Sequence, residues 1–166
     1  MDGGCMELSV AGLELLKYSE GFRSQAYLDS NGLPTIGYGH KLLPQESFPD
    51  GITEAQASGI LASDLRQAEQ TVARLVKVPL AQGQFDALVD FCFNLGAGRL
   101  ASSTLLKVLN GGRYEAAAEQ LLRWDLTGGE VNGGLKARRE AEIALWRNQS
   151  VIAGASPAQP LQKAVA

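Results

Sequence analysis

The chain has 166 residues, 45% of them hydrophobic and 20% charged, with a net charge of −3 and a pI near 5.2. That length holds one core, or two small lobes sharing a helix, and the composition is that of an ordinary folded protein rather than a disordered one. That charge argues against a nucleic-acid partner held by a broad basic face, and no window reaches the roughly 18 apolar residues that a membrane span needs.

The N-terminus, MDGGCMELSV, has no positive flank leading into an apolar run, so no secretory signal is expected. Cys5 and Cys92 lie far apart in sequence. That argues against a disulfide framework and fits a reducing compartment. Leu8, Val10, Leu13, Leu15 and Leu16 recur at helical spacing, which predicts a first helix over about 9–20. Ser9 is its N-cap, Leu8 and Leu13 staple across the cap, and Gly21 is the stop.

Two short β-leaning runs flank Asp29-Ser30-Asn31-Gly32, and Asn31-Gly32 signals a hairpin. Pro34 confines the second run to a sheet edge or to the start of a strand. A further turn or short strand is expected over about 37–43, followed by a loop through LLPQESFPDG. Thr53 and Gln56 stand in the capping-box relation, and Leu61, Leu65, Ala68, Val72 and Leu75 carry a long amphipathic helix toward Pro79. The rest reads as short helices punctuated by glycine. One carries Phe85, Leu88, Val89, Cys92 and Leu95; the next spans about 102–109; a third runs from Tyr114 to Leu122; the last runs from Leu135 to Trp146. After Asn148 the chain is small-residue, Pro-containing and aperiodic, and reads as a loosely held tail over 151–166.

Two carboxyls stand out. Glu20 sits where the first helix should end, although the partial negative charge of that end disfavours an anion. Asp29 opens a turn whose backbone N–H groups favour one. Glycoside hydrolysis needs one carboxyl that keeps its proton to give to the leaving oxygen and a second that supports positive charge or handles water. Taken singly, Glu20 could be a solvated helix end and Asp29 a turn residue capping its own backbone.

The spaced set resembles the phage-type lysozymes, or endolysins, of glycoside hydrolase family 24. Glu20, eight residues, Asp29, five residues and Thr35 reproduce that family's signature, inside E-G, A-Y-x-D-x-x-G and P-T-I-G-Y-G-H. The likeness continues through VPLAQGQFDALVDFCFNLG, AAAEQLLRW and GLKARREAEIALW, covering about 8–148. It implies an α+β, mostly helical lysozyme-like fold, with a small hairpin lobe (about 8–52), a connecting helix (about 53–76) and a helical lobe (about 80–148) around a cleft, together one catalytic domain over 1–150. It implies Glu20 as general acid, Asp29 as the anion that supports charge and orients water, and Thr35 as a holder of that water, acting with inversion on the muramic acid–glucosamine bond of bacterial peptidoglycan. Phe93 and Asn94 match positions lining the cleft.

His40, the lone histidine, has no second ligand at useful spacing for a metal, and the resemblance implies instead a structural ion pair with Asp64. Neither metal nor organic cofactor is expected. Arg123, Lys136, Arg138, Arg139 and Arg147 read as a mostly solvated basic face paired within helices to residues such as Glu140 and Glu142. The resemblance nonetheless implies that one cation of the last helix approaches Glu20, with Lys136, Arg138 and Arg139 as candidates. Trp124 and Trp146 read as core anchors. The resemblance also implies a monomer in the host cytoplasm that reaches periplasmic peptidoglycan once a holin has permeabilised the membrane. A catalytically silent murein-binding protein would be expected to have lost Glu20 or Asp29, and both are present.

Overall fold

Ser9 starts the first helix as expected: its hydroxyl accepts from the Gly12 N–H, and α1 runs over Val10–Glu20. The computed structural model describes residues 6–29 and 31–147; Cys5, Ser30 and the proposed tail lie outside the described residues. The chain then forms β1 (Arg23–Leu28), β2 (Pro34–Gly37) and β3 (His40–Lys41), an antiparallel sheet in that order. β2 is therefore the central strand. Pro34 is tolerated there because it is the first residue and sits beside the turn.

Asn31-Gly32 does not make a two-residue turn. The strands are joined by a longer loop over 29–33, closed by Asp29 N–H to Leu33 O at 3.0 Å and Gly32 N–H to Asp29 O at 2.9 Å. The carboxylate of Asp29, rather than the Asn-Gly pair, organises this loop. Thr53 caps α2 (Glu54–Leu75) with the full capping box, and Val76 closes it. The first turns of α2 pack on the sheet, where a Cβ at Gly37 would meet Ala57 and Ile52.

The helices that follow are α3 (Gln82–Leu95), α4 (Ala97–Ser102), α5 (Thr104–Asn110), α6 (Tyr114–Leu121) and α7 (Gly133–Trp146). The expected helix over about 102–109 is α5, which starts two residues later with the Ser103 hydroxyl as its cap; α4 before it has no counterpart among the expected helices. Between α6 and α7 lie a single 3-10 turn (Leu122–Trp124) and a short hairpin, β4 (Leu126–Thr127) with β5 (Glu130–Val131) around Gly128-Gly129. Asn132 then caps α7, which starts two residues before Leu135.

α3 is buried on nearly every face, from Phe85 through Cys92, and stands at the centre of the helical part. Two close approaches fix it there. A Cβ at Gly12 would meet Asp86 and Leu8 inside 3.0 Å, and one at Gly83 would come within 2.0 Å of the Leu145 carbonyl oxygen. Glycine at these sites lets α1 and α7 lie against α3 at backbone distance. Asp86 Oδ1 also accepts from Ser9 N–H at 3.0 Å, tying the start of α1 to α3. Trp146 is buried, and Trp124 sits edge-on to Phe91 at 5.4 Å, so both indoles serve the core. Burial pushes the Cys92 thiol up to about 11, leaving it inert at neutral pH. Among the described residues, no helix is long and apolar enough to cross a membrane.

Candidate active site

Glu20 is the last residue of α1, and its side chain is only 3% exposed. Gly21 follows with φ at 68°, a region that glycine enters without strain, and turns the chain straight into β1. Glu20 Oε1 accepts from Arg138 Nη1 at 3.1 Å. Of the three cations that the sequence leaves open, Arg138 is the one that reaches it. Arg139 instead donates from Nη2 to Asn94 Oδ1 at 2.8 Å, and Lys136 is exposed.

The same guanidinium is gripped from α3 by Asp90, with Nε to Oδ2 at 2.8 Å and Nη2 to Oδ1 at 2.9 Å. The solvated basic face expected for α7 is therefore wrong for Arg138 and Arg139, which are fully buried, as are Asp90 and Glu142. The cause is the packing of α7 on α3 and α1, which turns Arg138 onto the carboxylates of Asp90 and Glu20 and Arg139 onto the Asn94 amide of α3, beside Glu142 of its own helix. Arg123, Lys136 and Arg147 do lie on the exposed side, and Arg147 pairs with Glu115. Glu142 Oε1 lies 3.0 Å from Arg139 Nη2, but no aligned hydrogen bond joins them.

The electrostatics of this cluster are uneven. Burial disfavours the Asp90 anion, yet the Arg138 charge and its hydrogen bonds outweigh that and hold Asp90 below the usual carboxylate range. Burial also opposes the Arg138 charge, and Asp90 and Glu20 more than restore it. Glu142 goes the other way: burial, with Asp90 beside it, pushes its carboxyl well above the ordinary range despite the pull of Arg139. The cluster thus favours the anion at Asp90 and the proton at Glu142.

Asp29 is positioned by its own loop. Its Oδ1 accepts from Asn31 N–H at 2.9 Å and Leu33 N–H at 2.8 Å, and its Oδ2 contacts Lys41 Nζ from β3. The turn is less solvated than the sequence suggests, with the Asp29 side chain 13% exposed. Thr35 is buried in β2; its hydroxyl donates to Leu33 O at 3.0 Å and lies 3.3 Å from Lys41 Nζ. Lys41 thus joins the second and third members of the spaced set. Tyr27 on β1 pairs with Thr35 across the sheet. Burial raises its hydroxyl pKa, Arg23 lowers it and the Glu20 charge raises it, so Tyr27 is in electrostatic reach of Glu20 as well.

A model of the phage lysozyme family matches residues 17–142. The chain belongs to the phage lysozyme family. The matched segment contains Glu20, Asp29 and Thr35 and extends through the whole Arg138 cluster. Family relatives include the endolysin of Bacillus phage B103, 42% identical over 144 residues that make up 85% of this chain and 54% of that protein. The endolysin of Salmonella phage P22 is also 42% identical over 144 residues, covering 85% of this chain and 98% of its own. The chain therefore spans about half of the first relative and nearly all of the second. Among solved structures, the muramidase domain of SpmX from Asticaccaulis excentricus superimposes with a TM-score of 0.77 at 38% identity, over 84% of this chain and 97% of that one.

Phage lysozyme membership does not by itself assign the remaining residues. Phe93 is half-buried and packs against the core. Asn94 is buried, with its carbonyl oxygen on Arg139 and its amide nitrogen without a protein hydrogen-bond partner. His40 lies next to Lys41 on β3 and turns to α2, with Nδ1 2.8 Å from Asp64 Oδ2 and Nε2 3.0 Å from Glu46 Oε2. Burial alone would lower the His40 pKa, but hydrogen bonds to Glu46 and Asp64 raise it overall.

Sequence reasoning missed three residues: Lys41, Glu46 and Asp90. Asp90 left a signal, as a lone acid inside the apolar run LVDFCFNL. Lys41 and Glu46 left none, because their roles depend on how the β3 segment folds back onto β2 and α2.

Proposed function

We propose that this chain is an endolysin-type muramidase, hydrolysing the β-1,4 bond between N-acetylmuramic acid and N-acetylglucosamine in bacterial peptidoglycan, for host lysis and phage release. The observation that carries this reading is the contrast between two carboxyls held by different devices. Glu20 is fixed at a buried helix end by one guanidinium that is shared with Asp90. Asp29 is fixed by two loop amides and an ammonium, all of which favour its anion. Membership of the phage lysozyme family, and the names endolysin and muramidase carried by relatives, support the same chemistry.

In the proposed reaction Glu20 protonates the glycosidic oxygen as the bond to the leaving sugar breaks. The Asp29 anion supports the positive charge growing at the anomeric carbon and orients a water on the opposite face of the ring. Thr35 gives its own proton to Leu33 and so offers a lone pair toward that water. Attack from the far side inverts the anomeric centre. The sheet-bearing segment over about 8–52 and the helical segment over about 80–148 form the two walls of the substrate site, bridged by α2. Phe93 and the free amide of Asn94 serve N-acetylated sugars, while His40 and Asp64 are structural. The chemistry requires no cofactor. The working state is a monomer that accumulates in the host cytoplasm and depends on a holin for access to the wall.

Clearing of a purified murein suspension tests the assignment. Glu20→Gln and Asp29→Asn should each lower the rate by a factor on the order of 10² or more, and Thr35→Glu should redirect or abolish it. Native-level clearing by Glu20→Gln would remove the general acid from the mechanism. The anomer first released by the native protein tests inversion independently.

A further inference from the structure

An arginine against a general acid poses a problem. The guanidinium stabilises the anion, whereas a general acid has to carry a proton when substrate arrives. In this fold Arg138 is not available to Glu20 alone. Two of its three short contacts, through Nε and Nη2, go to Asp90, and only Nη1 faces Glu20.

We propose that Asp90 is a positioning residue for the reaction: it takes up the charge of Arg138, so that the guanidinium holds the Glu20 carboxyl in place without locking it as an anion. The inference rests on the reading of Glu20 as general acid. Groups face this point from four elements. Glu20 comes from α1, Asp90 from α3, and Arg138, Arg139 and Glu142 from α7. From β1 come Tyr27, within reach of the Glu20 charge, and Arg23, stacked on the Tyr27 ring at 4.7 Å.

Charge balance singles out Asp90 within that set. Two buried guanidinia face three buried carboxyls, so at least one carboxyl has to retain its proton if the cluster is not to carry net negative charge. Neither oxygen of Glu142 accepts a hydrogen bond, while Asp90 accepts two from Arg138. A protonated Glu142 can donate to Asp90, which is its hydrogen-bond neighbour. Glu142 is then a neutral donor that braces Asp90, and Asp90 is the anion that faces Arg138. Arg139 is directed away from Glu20, toward Glu142 at 3.0 Å on its own helix, the face of Phe91 at 5.2 Å and Asn94. Within the cluster, Asp90 is therefore the group placed to offset Arg138.

The pH dependence of kcat/KM on soluble murein fragments tests this. The variant is Asp90→Asn combined with Glu142→Gln, so that Glu142 cannot ionise in place of Asp90. With its counter-ion gone, Arg138 bears fully on Glu20, and the basic limb of the profile should move down by about one pH unit. The acid-side plateau should stay within about threefold of native, so that lowering the pH restores the lost activity. A loss of packing alone would depress the whole profile without moving the limb. A folded double variant whose limb stays in place overturns the proposal.

Carboxyl carbon-13 titration of the native protein provides a second reading that needs no variant. Asp90 should remain ionised and Glu142 protonated at neutral pH, and the reverse assignment overturns the proposal even if the double variant does not fold. These outcomes are separable from failure of the proposed function, which would show as native-level clearing by Glu20→Gln.

Discussion

Replacing Arg138 by Met removes the one cation that two buried carboxyls share. Arg138 and Asp90 are wholly buried and the Glu20 side chain nearly so. Leaving buried carboxylates without their partner costs about 3–5 kcal/mol, whereas an apolar replacement of the whole pair is close to neutral. For a chain of this size each kcal/mol lowers Tm by roughly 2–4 °C, so Arg138→Met should unfold about 6–20 °C below native at neutral pH. Adding Asp90→Leu should recover most of that loss, because the orphaned anion goes too. The cost should also shrink as pH falls, since an unpartnered buried carboxyl takes up a proton well above its ordinary range. Far-UV circular dichroism during thermal and urea unfolding reads all three effects. A single variant within about 1 kcal/mol of native, or a double variant no better than the single, would refute the picture of a buried, charge-compensated cluster.

Three other outcomes are open to direct measurement. His40 has a raised pKa in the folded state, so its ion pairs stabilise fully below the ordinary histidine value and are lost as pH climbs through the raised one. His40→Asn should therefore destabilise at about pH 5 and cost much less at about pH 9, as read by urea unfolding; an equal cost at both would refute the pairing. Gly83→Ala would drive a methyl onto the Leu145 carbonyl, with backbone on both sides unable to yield. It should cost at least about 1–3 kcal/mol in unfolding free energy, and a neutral effect would mean that α3 and α7 are not in close contact. Lys41→Met should lower murein clearing by on the order of tenfold with Tm nearly unchanged, since a partly exposed ammonium contributes little to stability but orders Asp29 and Thr35.

The features legible in the sequence were those with a local physical cause. Ser9, Gly21 and the Thr53–Gln56 box mark helix ends through hydrogen bonds made within four residues, and the structure has those ends. The spacing of Glu20, Asp29 and Thr35 identified the family because it spans one helix end and one hairpin. One departure was local: the hairpin signalled by Asn31-Gly32 forms, but with a longer loop, because the Asp29 carboxylate spends an oxygen on two loop amides two and four residues away. What else escaped was decided at long range. The charges of α7 looked solvated because i, i+3 and i, i+4 spacing supplies partners on any charged helix. Which face turns inward depends on α3, whose Asp90 is 48 residues away from Arg138. Helix α4 and the hairpin at Gly128-Gly129 are too short for periodicity to register.

The contact between Glu20 and Arg138 closes a span of 118 residues, from the first helix to the last. Synthesis runs in the same direction. A nascent chain displays Glu20, Asp29 and Thr35 early, but the Glu20 carboxyl lacks its Arg138 partner until α7 has left the ribosome and docked. Prematurely terminated products that stop before α7 would carry the whole spaced set and still lack an assembled acid. Under the proposed function, placing α7 over the Glu20 carboxyl ties assembly of the reacting end of α1 to synthesis of a helix more than a hundred residues later.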